Sequence, residues 1–203
     1  MIEFWYEFAS TYSYPAAMRI EALADEAGVE VAWRPFLLGP LFHAQQGLTD
    51  SPFNAFPVKG KYMWRDLERV CEEQGLPINH PSHFPRNGLL AARVAIAGLE
   101  DGWTAAFSKR VYEANFVADQ DIGSAEVLGP LIEEVGASPE AVFAAAQSPA
   151  VKDRLKQHVE QAKARGVFGS PSFITADGEL FWGNDRLEQA LSWAQRHTQR
   201  EHA

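Results

Sequence analysis

The chain has 203 residues, with 18 basic and 27 acidic side chains, a formal net charge of −9 and 46% hydrophobic residues. That is enough chain to bury an apolar core as one domain, or as a small core carrying a large insertion. The acid excess removes the electrostatic drive toward phosphate backbones or anionic lipid. No stretch reaches the roughly 20 apolar residues of a membrane span, and no basic leader followed by an apolar run opens the sequence. A cytoplasmic protein with no nucleic-acid or membrane partner is expected. Cys71 is the only cysteine, which excludes an internal disulfide, a CxxC redox pair and a thiolate-rich metal site.

Residues 2–8 alternate Ile2, Phe4, Tyr6 and Phe8 against Glu3, Trp5 and Glu7, a period of two that predicts a strand. The strand stops at Ser10, Thr11 and Ser13, and Pro15 suits a first helical turn, where its missing donor costs little. A helix follows, with Ala16, Ile20, Leu23 and Ala27 on one face and Gly28 as its stop. Residues 29–33 alternate again and end near Pro35, so the first 36 residues predict a right-handed parallel βαβ unit.

Six segments in the middle carry helical spacing between breakers: 61–74, 87–98, 103–115, 124–135, 139–147 and 150–165. Near the C-terminus, 172–175 and 179–182 are short β-like runs joined by Ala176-Asp177-Gly178, a hairpin signal. A helix over about 186–197 follows, with Asn184 or Asp185 as its cap, and the polar tail from Thr198 to Ala203 is expected to fray. A βαβ half and a ββα half around a helical middle predict an α/β protein: a thioredoxin-type sheet from 1–58 and 166–203, with an all-helical insertion over 59–165. The insertion is large enough to wall a cleft at one end of the sheet.

Three segments carry candidate chemistry. The first is Ser10-Thr11-Tyr12-Ser13-Tyr14, at the carboxyl end of the first strand. A helix start there presents free N–H groups and partial positive charge. Ser10 or Ser13 either caps the helix or donates a hydrogen bond to a bound thiolate. The second is Gly169-Ser170-Pro171-Ser172, a candidate cis proline before a strand. A cis bond there leaves the Ser170 backbone free to pair with an extended peptide, whereas an ordinary trans proline would only open the strand. The third is Trp182-Gly183-Asn184-Asp185-Arg186. It reads either as a helix cap with a solvated arginine or as a holder for a ligand, with Asn184 and the helix amides on a carboxylate and Asp185 on an ammonium group.

Together these segments resemble the 2-hydroxychromene-2-carboxylate isomerases, relatives of the kappa-class glutathione transferases and the DsbA oxidoreductases. Lys61-Tyr62-Met63-Trp64-Arg65-Asp66-Leu67 and Phe84-Pro85-Arg86-Asn87 also resemble that family, so the similarity spans nearly the whole chain. The resemblance implies a thioredoxin fold with a helical insertion, glutathione as cofactor and a homodimer. It implies that Ser10 contacts the glutathione sulfur, that Ser170 beside Pro171 pairs with the cysteinyl part, and that Asn184 and Asp185 hold the γ-glutamyl end. The implied reaction is isomerisation of a chromene carboxylate or related aromatic breakdown product by reversible thiolate addition, ring opening and elimination.

A free thiol has a pKa of about 8.5, and a helix start with a hydroxyl donor favours its nucleophilic thiolate. Thr11 departs from the family, which has proline at that position, and so adds Thr11 and Ser13 as possible second donors. Tyr12, Asn54, Asn87 and Trp182 are candidates for the substrate pocket. Lys59, Lys61, Arg65 and Arg86 are candidates to hold a substrate carboxylate, or are simply surface charges.

The same fold supports a conjugating glutathione transferase or a non-catalytic peptide-binding module. A disulfide oxidoreductase is disfavoured, because Ser10 and Ser13 occupy the positions of both redox thiols and oxygen cannot replace sulfur in thiol exchange. No His and Asp stand where they would activate a serine. No metal is expected, since His43, His80 and His83 lack a matching ligand cluster, and Cys71 reads as a buried small hydrophobe.

Overall fold

The computed structural model describes residues 1–47 and 49–201, without the side chains of Gln46 and residues 198–201. Four strands form one mixed sheet in the order β2-β1-β3-β4. Strand β1 (Ile2–Tyr6) runs parallel to β2 (Val31–Pro35) and antiparallel to β3 (Ser172–Thr175), which pairs antiparallel with β4 (Leu180–Trp182). Helix α1 (Ser13–Ala27) makes the crossover between the two parallel strands. Both halves predicted from periodicity are therefore present, and they meet where β1 pairs with β3.

Strand β1 is central and buried along its whole length. Its alternation divides two apolar layers rather than separating core from water. Ile2, Phe4 and Tyr6 face the layer built with α1 and the last helix, α10 (Leu187–Glu201). Phe4 there packs its ring 5.0 Å from Trp33 and 5.5 Å from Phe173. Trp5 faces the opposite layer with Phe36, Leu41 and Val159. Glu3 shares that side and is made tolerable by partners: Arg34 and Arg165 pair with its carboxylate at 3.0 and 2.7 Å, and the Trp5 indole donates to it at 3.2 Å.

Between β2 and β3 the chain is helical: α2 (Leu38–Gln46), α3 (Pro52–Ala55), α4 (Pro57–Glu73), α5 (Leu89–Ala97), α6 (Thr104–Phe116), α7 (Ala125–Glu134), α8 (Pro139–Gln147) and α9 (Pro149–Ala164). The six predicted helices correspond to α4 through α9. Helix α4 begins four residues earlier than expected, at Pro57 in its first turn. Helices α2 and α3 had no sequence expectation; Pro40 lies in the first turn of the nine-residue α2, and α3 is a single four-residue turn opened by Pro52.

Two other boundaries shift for identifiable reasons. Strand β2 starts at Val31 rather than Val29, because the Gly28 and Val29 N–H groups close α1 by bonding Asp25 and Ala24 carbonyls. The last helix is preceded by a short 3-10 turn over Asn184–Arg186, not by a side-chain cap. Its backbone continues to Glu201, through part of the tail expected to fray; residues 202 and 203 lie outside the described residues. Among the described residues, no helix is long and apolar enough to cross a membrane.

Candidate active site

Beyond β1 the chain turns twice before α1. The Ser10 N–H bonds the Glu7 carbonyl at 3.0 Å and the Ser13 N–H bonds the Ser10 carbonyl at 3.2 Å. The residue capping α1 is Tyr12, and it makes no side-chain cap bond. Ser10 and Ser13 therefore do not cap the helix; their hydroxyls are engaged elsewhere. Ser13 Oγ donates to Ser10 Oγ at 2.9 Å, and Ser10 Oγ donates to the Ser170 carbonyl at 2.9 Å.

Ser170 Oγ lies 2.6 Å from Ser13 Oγ and accepts from the Glu7 N–H at 3.1 Å. Each hydroxyl has one proton to give, so these contacts define a single direction. It runs from the Glu7 amide through Ser170, Ser13 and Ser10 to the Ser170 carbonyl. The Ser170–Pro171 peptide is cis, as is Phe84–Pro85, for which there was no sequence expectation.

These groups open onto a cavity of about 620 Å³, within the range of small-molecule sites. Glu7, Ser10, Thr11 and Ser170 wall it on the sheet side, and Lys59, Met63 and Asn87 on the helical side. Tyr12 contributes ring surface, while its hydroxyl donates to Asp66 at 2.8 Å. Burial and the Asp66 carboxylate both raise the Tyr12 phenol, which stays protonated at neutral pH. Trp182 stands at the opening with its ring 4.9 Å from Phe168. It approaches so closely that a Cβ on Gly169 would lie 2.3 Å from its Nε1.

The predicted site residues do not all reach this cavity. Asn87, Tyr12, Trp182 and Thr11 line it; Ser13 is buried just behind it. Lys61 and Arg65 do not line it. Helix α4 turns about 100° per residue, so the face carrying Lys59, Tyr62 and Met63 to the cavity turns Lys61 and Arg65 outward, where Arg65 pairs with Glu68 at 2.7 Å. Asn54 is also outside the lining and donates to Asp50 and to the Phe84 carbonyl, the latter at 3.0 Å.

Asn184 and Asp185 lie next to Pro171, whose carbonyl accepts the Gly183 N–H at 3.0 Å, but neither lines the main cavity. Asn184 is buried and accepts a hydrogen bond from Arg19 at 3.0 Å, whereas the Asp185 carboxylate is exposed. The cations that do line the cavity are Lys59, 5.6 Å over the Phe53 ring, and Arg86, ion-paired with Asp119.

Glu7 had no functional expectation from the sequence, which used it only as part of the strand alternation. Its carboxyl is half-buried in the cavity wall and accepts the Ala9 N–H at 3.1 Å. Burial raises its pKa to about 7, partly offset by that hydrogen bond. The available signal was positional: an acid at the carboxyl end of a strand in a parallel βαβ unit faces the crevice. Among the described residues, no group of three or more His, Cys, Asp or Glu side chains converges as a metal would require.

The profile of the DSBA-like thioredoxin domain matches residues 1–193. The chain belongs to the DSBA-like thioredoxin family. One relative is the 2-hydroxychromene-2-carboxylate isomerase of Sphingobium xenophagum, 29% identical over 92% of this chain and 94% of that protein. Another is glutathione S-transferase kappa 1 of Homo sapiens, 25% identical over 92% of this chain and 87% of that one. A solved 2-hydroxychromene-2-carboxylate isomerase superposes with a TM-score of 0.87 over 99% of this chain and 97% of its own, at 24% identity. The expected fold class, a thioredoxin core with a helical insertion, is the one this family and this sheet show.

Proposed function

We propose that this protein is a glutathione-dependent isomerase acting on 2-hydroxychromene-2-carboxylate or a related aromatic degradation intermediate. The observation that carries this reading is the Ser10 hydroxyl, held at the start of α1 and aimed at the carbonyl beside cis-Pro171, on the wall of a cavity large enough for a small ligand. When bound, glutathione supplies a thiolate that adds reversibly to the unsaturated ring. Ser10 turns its proton from the Ser170 carbonyl to the sulfur, and that carbonyl becomes free to accept a ligand N–H. The amides at the start of α1 add partial positive charge.

Ser13 keeps Ser10 in place through its own hydrogen bond, and Thr11 is a second hydroxyl on the same wall. Asn184 and Asp185, next to Pro171, take the γ-glutamyl end. Lys59 and Arg86 are the cations positioned to receive the substrate carboxylate, in place of Lys61 and Arg65. Tyr12, Asn87 and Trp182 surround the aromatic part. The names of the isomerase and kappa-transferase relatives support both the reaction class and the cofactor.

The experiment is thermal unfolding with and without glutathione, followed by an inventory of free thiol during turnover. Glutathione at about 100 times its dissociation constant adds roughly 2.7 kcal/mol to stability. Isomerisation leaves total thiol unchanged, whereas the kappa-class alternative consumes it one for one. An unchanged unfolding midpoint with both glutathione and an S-alkyl analogue would overturn the proposal.

A further inference from the structure

We propose that Glu7 is the proton acceptor of this site, its carboxylate taking the proton of the bound glutathione thiol so that a thiolate and a neutral Glu7 form together. The inference rests on the glutathione reading above and adds a residue that the motifs do not mark.

Glu7 is held at both backbone ends. Its N–H donates to Ser170 Oγ at 3.1 Å and its carbonyl accepts the Tyr112 hydroxyl at 3.0 Å. Its side chain is fixed by the Ala9 N–H on Oε2, at 3.1 Å. The other oxygen, Oε1, faces Gly88, where a Cβ would stand only 2.9 Å away, so the absence of a side chain there leaves room for the carboxyl. Ser10, Ser170 and Glu7 share one cavity wall.

The surrounding charged and titratable groups do not neutralise Glu7. Arg86 pairs with Asp119, Tyr12 and Tyr62 donate to Asp66, and Lys59 lies over Phe53. Asp50 lines the same cavity and adds negative charge, and Tyr112 donates its proton to the Glu7 carbonyl rather than to the carboxylate. Among the described residues, no cation forms an ion pair with Glu7, and burial has already brought its carboxyl to about 7.

A thiolate and a carboxylate in one half-buried cavity repel, and a single proton moved between them removes one of the two charges. In the step, the S–H bond breaks, an O–H bond forms on the Glu7 carboxylate and the electron pair stays on sulfur. The total charge is unchanged. Glu7 returns the proton when the ligand leaves as a thiol.

The test counts protons. Glutathione binding is followed by calorimetry in buffers of different ionisation heat, alongside thiolate absorbance, at about pH 8, where the free thiol is still mostly protonated and unliganded Glu7 is ionised. The wild-type protein is expected to form thiolate with little proton release. Glu7→Gln, which cannot take the proton, should release about one proton for each thiolate formed. Wild-type release equal to the thiolate formed overturns the proposal, as does binding of glutathione as the neutral thiol. In either case the glutathione reading stands. Absence of both binding heat and thermal stabilisation removes that reading and the proposal with it.

Discussion

The hydroxyl of Ser10 donates to the backbone carbonyl of Ser170 at 2.9 Å, across 160 residues of sequence. This one contact joins the end of the first strand to the cis-proline loop. It also commits a side-chain donor to a backbone acceptor that an extended ligand would otherwise occupy. Exchange of partners at Ser10, rather than the formation of a new site, is therefore the event to follow on ligand binding.

Ser10→Ala removes that donor from the ligand. A hydrogen bond to a charged group contributes about 1.5–3 kcal/mol, so the pKa of the bound thiol is expected to rise by roughly one to two units. Titration of thiolate absorbance in the glutathione complex measures the rise. Ser13→Ala is expected to act differently: Ser13 is fully buried and bonds both Ser10 and Ser170. Its loss should cost about 1–3 kcal/mol of stability in urea unfolding, together with a smaller thiol shift through looser positioning of Ser10. Equal thiol shifts in the two variants would place the direct donor elsewhere.

The Glu7 carboxyl gives the free protein a pH signature. Burial lifts its folded-state pKa from 4.5 to about 7, so the neutral acid is the form the fold favours. The stabilisation is fully present below about pH 4.5 and is lost as the pH rises through about 7. Glu7→Gln keeps a neutral side chain at every pH. Relative to wild type it should therefore gain on the order of 2 kcal/mol between those limits, after allowance for the partial exposure of the group. Urea unfolding of both proteins at several pH values measures the difference. A constant difference would remove the titration from Glu7.

Gly169→Ala places a methyl group where the Trp182 indole now lies, 2.3 Å from Nε1. The ring must move, and because Trp182 is half-exposed the fold should tolerate it. Affinity for an aromatic ligand in the cavity is expected to fall about tenfold, a change of roughly 1.4 kcal/mol, with little change in unfolding midpoint. Calorimetric titration checks the first and thermal unfolding the second.

Phe4→Ala tests the layer beneath the site. The Phe4 ring is fully buried and packs against Tyr6, Trp33 and Phe173. Its loss should cost about 3–5 kcal/mol, read as a shift in the urea midpoint at constant slope. A cost below about 1 kcal/mol would mean that the sheet repacks around the gap.

Much of this architecture was legible because local periodicity and tertiary environment agree. Ala16, Ile20 and Ala24 bury one face of α1, and Ala176-Asp177-Gly178 turns between β3 and β4 where turn chemistry placed it. Legibility ended where a side chain's environment depends on what crosses over it. The alternation of β1 identified a strand, but it could not reveal that apolar layers cover both faces, so it carried no environment for Glu3 or Glu7. Glu3 is held in a buried ion-pair cluster, while Glu7, in the cavity wall, has no ion-pair partner among the described residues. The basic residues of α4 show the same limit at finer scale. Composition nominated Lys59, Lys61 and Arg65 alike, and only the rotation of the helix against the sheet selects Lys59. Beside Lys59, the four-residue α3 is too short to display a period, and the Gly39-Pro40 start of α2 resembles a turn rather than a helix.

The solitary cysteine carries one last consequence. Cys71 is packed away in α4, and burial pushes its thiol up to about 11, so almost none of it is ionised at neutral pH. The three hydroxyls that meet at the cleft contain no sulfur. On the proposed reading the reactive sulfur belongs to the ligand, so peroxide would act on this site chiefly through the supply of reduced glutathione, the buried thioether of Met63 being the sulfur in the cavity wall.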